Sequence, residues 1–174
     1  MGSLMFLALR IKLPKKVKRN LDKLEEGYVP YDGSAAKHKI PHVTVVPPRG
    51  IFGLEDWKRA IRGVENIPTE FKVTGFGSFW DSSKLGFWGN LNADIGIDSP
   101  HLTLFDCKEN EREVKRALEE YGDLFEGYIG LRLEVSSLAV IERDKGIIYE
   151  AKAPSRQTSL QDILERPNHE SDNT

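Results

Sequence analysis

"KIPHVTVVPP", residues 39–48, is an apolar, β-branched run closed by two prolines, the composition of a strand, yet it carries a histidine and a threonine two residues apart. A second stretch, "SPHLTLFD" (99–106), sets Pro100-His101-Leu102-Thr103-Leu104 against Pro41-His42-Val43-Thr44-Val45. Strand side chains alternate between faces, so His42 and Thr44 share one face while Val43 and Val45 share the other. The same parity opposes His101 and Thr103 to Leu102 and Leu104. The apolar sets can bury under helices, which leaves each His-Thr pair on the opposite face.

The pattern extends outward from both stretches. After His42 come a Pro/Gly loop, a helix-spaced Leu54, Trp57 and Ile61, then "FKVTGFGSFW" and "KLGFWGNL". After His101 come a polar loop, a helix-spaced Val114, Leu118 and Tyr121, then "LRLEVSSLAVIER" and "KGIIYEAK". Both halves read strand, helix, strand, strand. Ahead of them, Leu4 to Leu13 reads as a strand with Arg10 and Lys12 alternating onto a partly exposed face, followed by an amphipathic helix carrying Val17, Leu21 and Leu24. The expected architecture is α+β: two pseudo-symmetric lobes of mainly antiparallel sheet, with helices on the outer faces and a central cleft onto which both histidine strands look. One bilobal domain is expected over 1–153. A polar tail, 154–174, is expected to hold a short helix at "SLQDILER" and then disorder.

Composition limits what the pair can mean. The chain of 174 residues is long enough for a sizeable core, and its net charge of −2 argues against stable binding of duplex DNA by bulk electrostatics. One cysteine, Cys107, allows no internal disulfide, so a reducing, cytoplasmic setting is expected. No apolar run is long enough to span a bilayer, so no membrane partner is expected. A monomer acting on a nucleotide or short RNA is the expected state.

Two imidazoles and two hydroxyls suit phosphoryl transfer. One group must take a proton from the attacking oxygen and another must give one to the leaving oxygen, and histidine holds either state near neutral pH. Threonine hydroxyls donate hydrogen bonds to the non-bridging oxygens. Neither stretch carries an adjacent ligand pair at zinc spacing, so no metal and no cofactor are expected. Cys107 has no obvious activating neighbour as a nucleophile. Two core histidines satisfied by their threonines are the structural alternative.

At these residues the chain resembles the two-histidine (2H) phosphoesterases, the LigT-like or 2′-5′ RNA ligase-like superfamily, defined by two H-x-[ST]-x motifs each followed by a hydrophobic position. Here they stand as His42-Val43-Thr44-Val45 and His101-Leu102-Thr103-Leu104. The resemblance covers roughly residues 4 to 153 and departs from the family's usual pattern in the short "NLNADIGIDSP" ahead of the second motif. It implies a metal-independent phosphodiesterase for 2′-5′ bonds or 2′,3′-cyclic phosphates in nucleotides, cyclic oligonucleotides or RNA ends. His42 and His101 would be acid and base, and Thr44 and Thr103 would hold the phosphate. A nucleotide- or RNA-binding module without turnover, or an RNA 2′-5′ ligase, are the alternatives.

Tyr149 is the expected further base or phosphate contact, chosen from the aromatics Trp80, Phe87, Trp88 and Tyr149 that could stack a base. His38 and Arg49 flank the first motif as further groups able to meet an anion. "KLPKKVKR" (12–19) reads as a solvated helix face and a candidate strand-guiding patch.

Overall fold

The computed structural model describes residues 4–27, 36–37, 40–79, 84–106, 111–143 and 145–154. The order is β1 (Met5–Lys12), α1 (Lys15–Gly27), β2 (Ala36–Lys37), β3 (His42–Val46), α2 (Leu54–Arg62), β4 (Glu70–Phe79), β5 (Lys84–Leu91), β6 (His101–Asp106), α3 (Glu111–Glu126), β7 (Arg132–Glu142) and β8 (Gly146–Lys152). Each histidine strand is thus followed by a helix and a hairpin.

These parts do not form two lobes. They close into a single ring of six antiparallel strands, β1-β3-β6-β5-β4-β7, with β7 returning to β1. β8 adds to β7, and the two-residue β2 adds to β6. The two-lobed arrangement with a central cleft is therefore corrected to one closed barrel with peripheral helices. Two pairings cause this. The histidine strands hydrogen-bond directly to each other, and the eleven-residue β7 pairs with β4 at its start and with β1 along the rest. A strand that serves both halves leaves no gap between them.

The two faces of the ring differ in chemistry. Leu9, Val43, Leu102, Phe87 and Leu138 lie side by side on neighbouring strands and are buried in one cluster with Val17, Leu21 and Leu24 of α1, Trp57 and Ile61 of α2, and Phe125 of α3. Fully burying side chains of this size stabilises by roughly 1.5–3 kcal/mol each. Ala8, Ala139 and Ile141 point the other way and form a small second cluster with Phe6, Ile40 and Ile147. His42 and Thr44 of β3 and His101 and Thr103 of β6 alternate with Val43 and Leu102 of the main cluster and so share that second face.

Capping of α2 follows the sequence. The Asp56 carboxylate accepts from the Gly53 N–H at 2.8 Å, and the acidic first turn and basic last turn complement the helix dipole. Among the described residues, no helix is long and apolar enough to cross a membrane. The expected tail helix and disorder (155–174), His38, Trp80 and Cys107 lie outside the described residues.

Candidate active site

The ladder between β3 and β6 pairs Val43 with Leu102. Carried one residue each way, that antiparallel register sets His42 beside Thr103 and Thr44 beside His101. The arrangement is reciprocal: each imidazole has the other strand's hydroxyl as its lateral neighbour. Directly opposed side chains stand about 4.5–5.5 Å apart at Cβ and diagonal ones about 7–8 Å. The two histidines are the diagonal pair. All four residues are half-buried.

Both motifs are anchored in the same way. His42 Nδ1 bonds to the carbonyl of Ile40 at 2.7 Å, and His101 Nδ1 to the carbonyl of Ser99 at 3.2 Å. The intervening prolines explain the repetition. Proline restricts its own φ and holds the preceding residue extended, so the carbonyl two places upstream has a fixed direction. A carbonyl only accepts, so Nδ1 carries the proton in the neutral ring and Nε2 becomes the nitrogen that takes or gives one. The proline carbonyls are tied in parallel fashion: Pro41 accepts from Ile11 N–H of β1 at 2.9 Å, and Pro100 from Gly89 N–H of β5 at 3.1 Å.

The electrostatics put the two rings in one field. Burial pushes the His42 imidazole below its ordinary pKa; the Ile40 carbonyl works against this, and the charge of His101 lowers it further. The neutral form of His42 is thereby favoured. The Phe6 ring lies against His42, centroids 5.2 Å apart, and supplies part of the apolar surface that removes water from it.

Neighbouring strands add charge and an aromatic wall. Arg10 is the β1 partner of His42. Its Nη1 donates to both carboxylate oxygens of Glu150, at 3.1 and 3.2 Å, and Lys152 Nζ lies 3.2 Å from the same carboxylate. Partial burial would raise the Glu150 pKa, but hydrogen bonds and the charges of Lys152 and Arg10 outweigh it and keep the group ionised. Trp88 is the β5 partner of His101, and its ring lies across Gly77 of β4, where an added Cβ would come within 3.1 Å of the indole. That glycine leaves room for the indole to lie flat on the same face as His101.

Four of the five expected site residues, His42, Thr44, His101 and Thr103, therefore come together. Tyr149 does not join them. It pairs with Val140, packs against the helix-side cluster, and has Lys58 Nζ 5.1 Å from its ring centroid. Phe87 is fully buried on that same side, and Arg49 lies over the Phe52 ring. Arg10 and Glu150 entered the site without being singled out in the sequence. Their signal was faint: charged residues at alternate positions in otherwise apolar strands. Among the described residues, no group of three His, Cys, Asp or Glu is placed to hold a metal ion.

No family model matches the chain, and no curated protein matches it. Among solved structures, the chain is similar to the crystal structure of E. coli LigT complexed with NADP+. That likeness has 10% identity and a TM-score of 0.48, covering 88% of this chain and 99% of that one. It is a distant structural similarity and carries no argument about chemistry.

Proposed function

We propose that the chain is a metal-independent phosphodiesterase. Its substrates are 2′-5′ phosphodiester or 2′,3′-cyclic phosphate bonds in nucleotides, cyclic oligonucleotides or RNA ends, cleaved by His42 and His101 as an acid–base pair. The observation that carries this reading is the reciprocal register of β3 and β6, which brings two imidazoles and two threonine hydroxyls to one half-buried spot. In support, the two rings interact electrostatically and share one mode of Nδ1 anchoring.

His42 is assigned as the base, because its environment favours the neutral ring. Its Nε2 takes the proton from the attacking water or ribose hydroxyl as the new P–O bond forms. His101 gives its Nε2 proton to the oxygen whose bond to phosphorus breaks, and the proton balance is restored through solvent. Thr44 and Thr103 donate to the non-bridging oxygens, where negative charge is densest in the transition state. Arg10, held by Glu150, supplies a fixed positive charge one strand away from His42.

The test is incubation of the purified protein with 2′-5′ and 3′-5′ dinucleotides, 2′,3′-cyclic nucleotides and cyclic oligonucleotides, with and without chelator, and resolution of the products. Conversion of a 2′-5′ or 2′,3′-cyclic substrate at an unchanged rate in chelator is expected. Absence of product from every substrate, or loss of turnover on chelation, would overturn the reading. Tight binding without product would favour the binding module instead.

A further inference from the structure

A cavity of about 540 Å³ opens beside the histidine site, where the end of β1 meets α1, Pro41 and the end of β8. Its lining includes Arg10, Lys12, Lys18 and Lys152, opposed by the single carboxylate of Asp22. Ser136 adds a hydroxyl. Four cations against one lining carboxylate leave the concavity positive on balance in a chain whose net charge is −2, and such a concavity focuses its field on an entering anion.

The cavity adjoins the site through two of its lining residues. Arg10 is the strand partner of His42, and Pro41 is its chain neighbour. Lys12 lies two residues further along β1, about 6.6–6.8 Å at strand rise, which leads the cations away from the scissile position on the scale of one nucleotide step. Lys12 and Lys18 are exposed and offer their charges to a ligand, whereas Arg10 and Lys152 share the Glu150 carboxylate.

We infer that this cavity is a second phosphate subsite, and that the preferred substrate carries a further phosphate one nucleotide from the bond cleaved. This rests on the phosphodiesterase reading and narrows it. A single-phosphate ligand fills only the space between the histidines. A phosphorylated oligonucleotide also fills the basic cavity.

The test compares two ligands, a 2′-5′-linked dinucleoside monophosphate and a 5′-phosphorylated 2′-5′ trinucleotide. Affinity is measured in a turnover-silent His42→Ala/His101→Ala background, and again after adding Lys12→Ala and Lys18→Ala. The trinucleotide is expected to bind at least tenfold more tightly, and most of that advantage should vanish with the lysines. The dependence of log K on log salt should flatten by about 1.4 units, as loss of two cation–phosphate contacts on a single strand requires. Affinity for the dinucleoside monophosphate should change less than twofold.

Equal affinity for the two ligands, or equal weakening of both by the lysine substitutions, would overturn the inference. Circular dichroism checks folding, and Lys152→Ala provides an independent replacement at the same cavity. Hydrolysis of both ligands by the native protein is followed in parallel. If neither is cleaved while the lysine-dependent preference persists, the phosphodiesterase reading fails and the phosphate subsite stands.

Discussion

His42→Ala and His101→Ala should each lower kcat/KM on the preferred substrate by about 10²- to 10⁴-fold, the usual contribution of a positioned acid or base. Far-UV circular dichroism and the unfolding midpoint should stay close to native, because both rings are half-buried and lie on the face away from the main core. The double variant should be little worse than the poorer single, since groups that act as a unit lose their combined effect together. The pH dependence adds a sign. The pKa of His42 is lowered, so its base form persists as pH falls through the ordinary histidine value of about 6.5, and the acid limb of activity should lie below it. A variant that loses both activity and fold would point to the structural alternative of two satisfied core histidines.

The second large effect is expected at a glycine beside the second motif, one residue from the strand partner of His101. Gly89→Ala should destabilise the protein by about 3 kcal/mol, at the upper end of what overpacking usually costs. A Cβ at Gly89 would stand 2.5 Å from the Lys72 carbonyl oxygen and 2.5 Å from Phe71 Cζ, which is fully buried. A backbone atom cannot step aside as a side-chain tip can, so β5 must move off β4. The Gly89 N–H also donates to the Pro100 carbonyl, immediately before His101. Moving β5 therefore moves an anchor of the site, and displacements of order 1 Å cost about 10²-fold in well-oriented reactions. Urea denaturation should show a lower midpoint, with kcat at least tenfold below native. Gly75→Ala is the comparison, because its Cβ would meet Trp88 at an ordinary 3.5 Å. A native-like midpoint for Gly89→Ala would show that β5 and β4 accommodate the methyl group.

How much of this was legible in the sequence divides along a physical line. Period-two alternation in residues 42–44 and 101–103 places the His-Thr pairs on one face, because that parity is local and survives any pairing of strands. Helical spacing likewise identifies α1 and α2 through Val17, Leu21, Leu24, Trp57 and Ile61. Partner choice is not local. The repeated order of strand, helix, strand, strand suggests two separate sheets, whereas the direct Val43–Leu102 pairing and the double service of β7 close one ring.

Tyr149 illustrates the same limit. Its place near the end of the last strand suggested a substrate contact, but a bulge between Val140 and Ile141 shifts the β8 register, and Tyr149 packs on the helix side while Glu150 turns toward Arg10. Alternation within β8 alone does not determine which set faces the histidines. Arg10 was visible as a charged residue in an apolar strand, but its position beside His42 follows only from the antiparallel pairing of β1 with β3.

The claim beneath all of this is that two imidazoles share one site closely enough to feel each other's charge. NMR titration of the histidine ring protons in the native protein and in His101→Gln measures it without substrate. His42 should titrate below the ordinary histidine value in the native protein, and its pKa should rise once the His101 charge is removed. An identical His42 titration in both proteins would contradict the account.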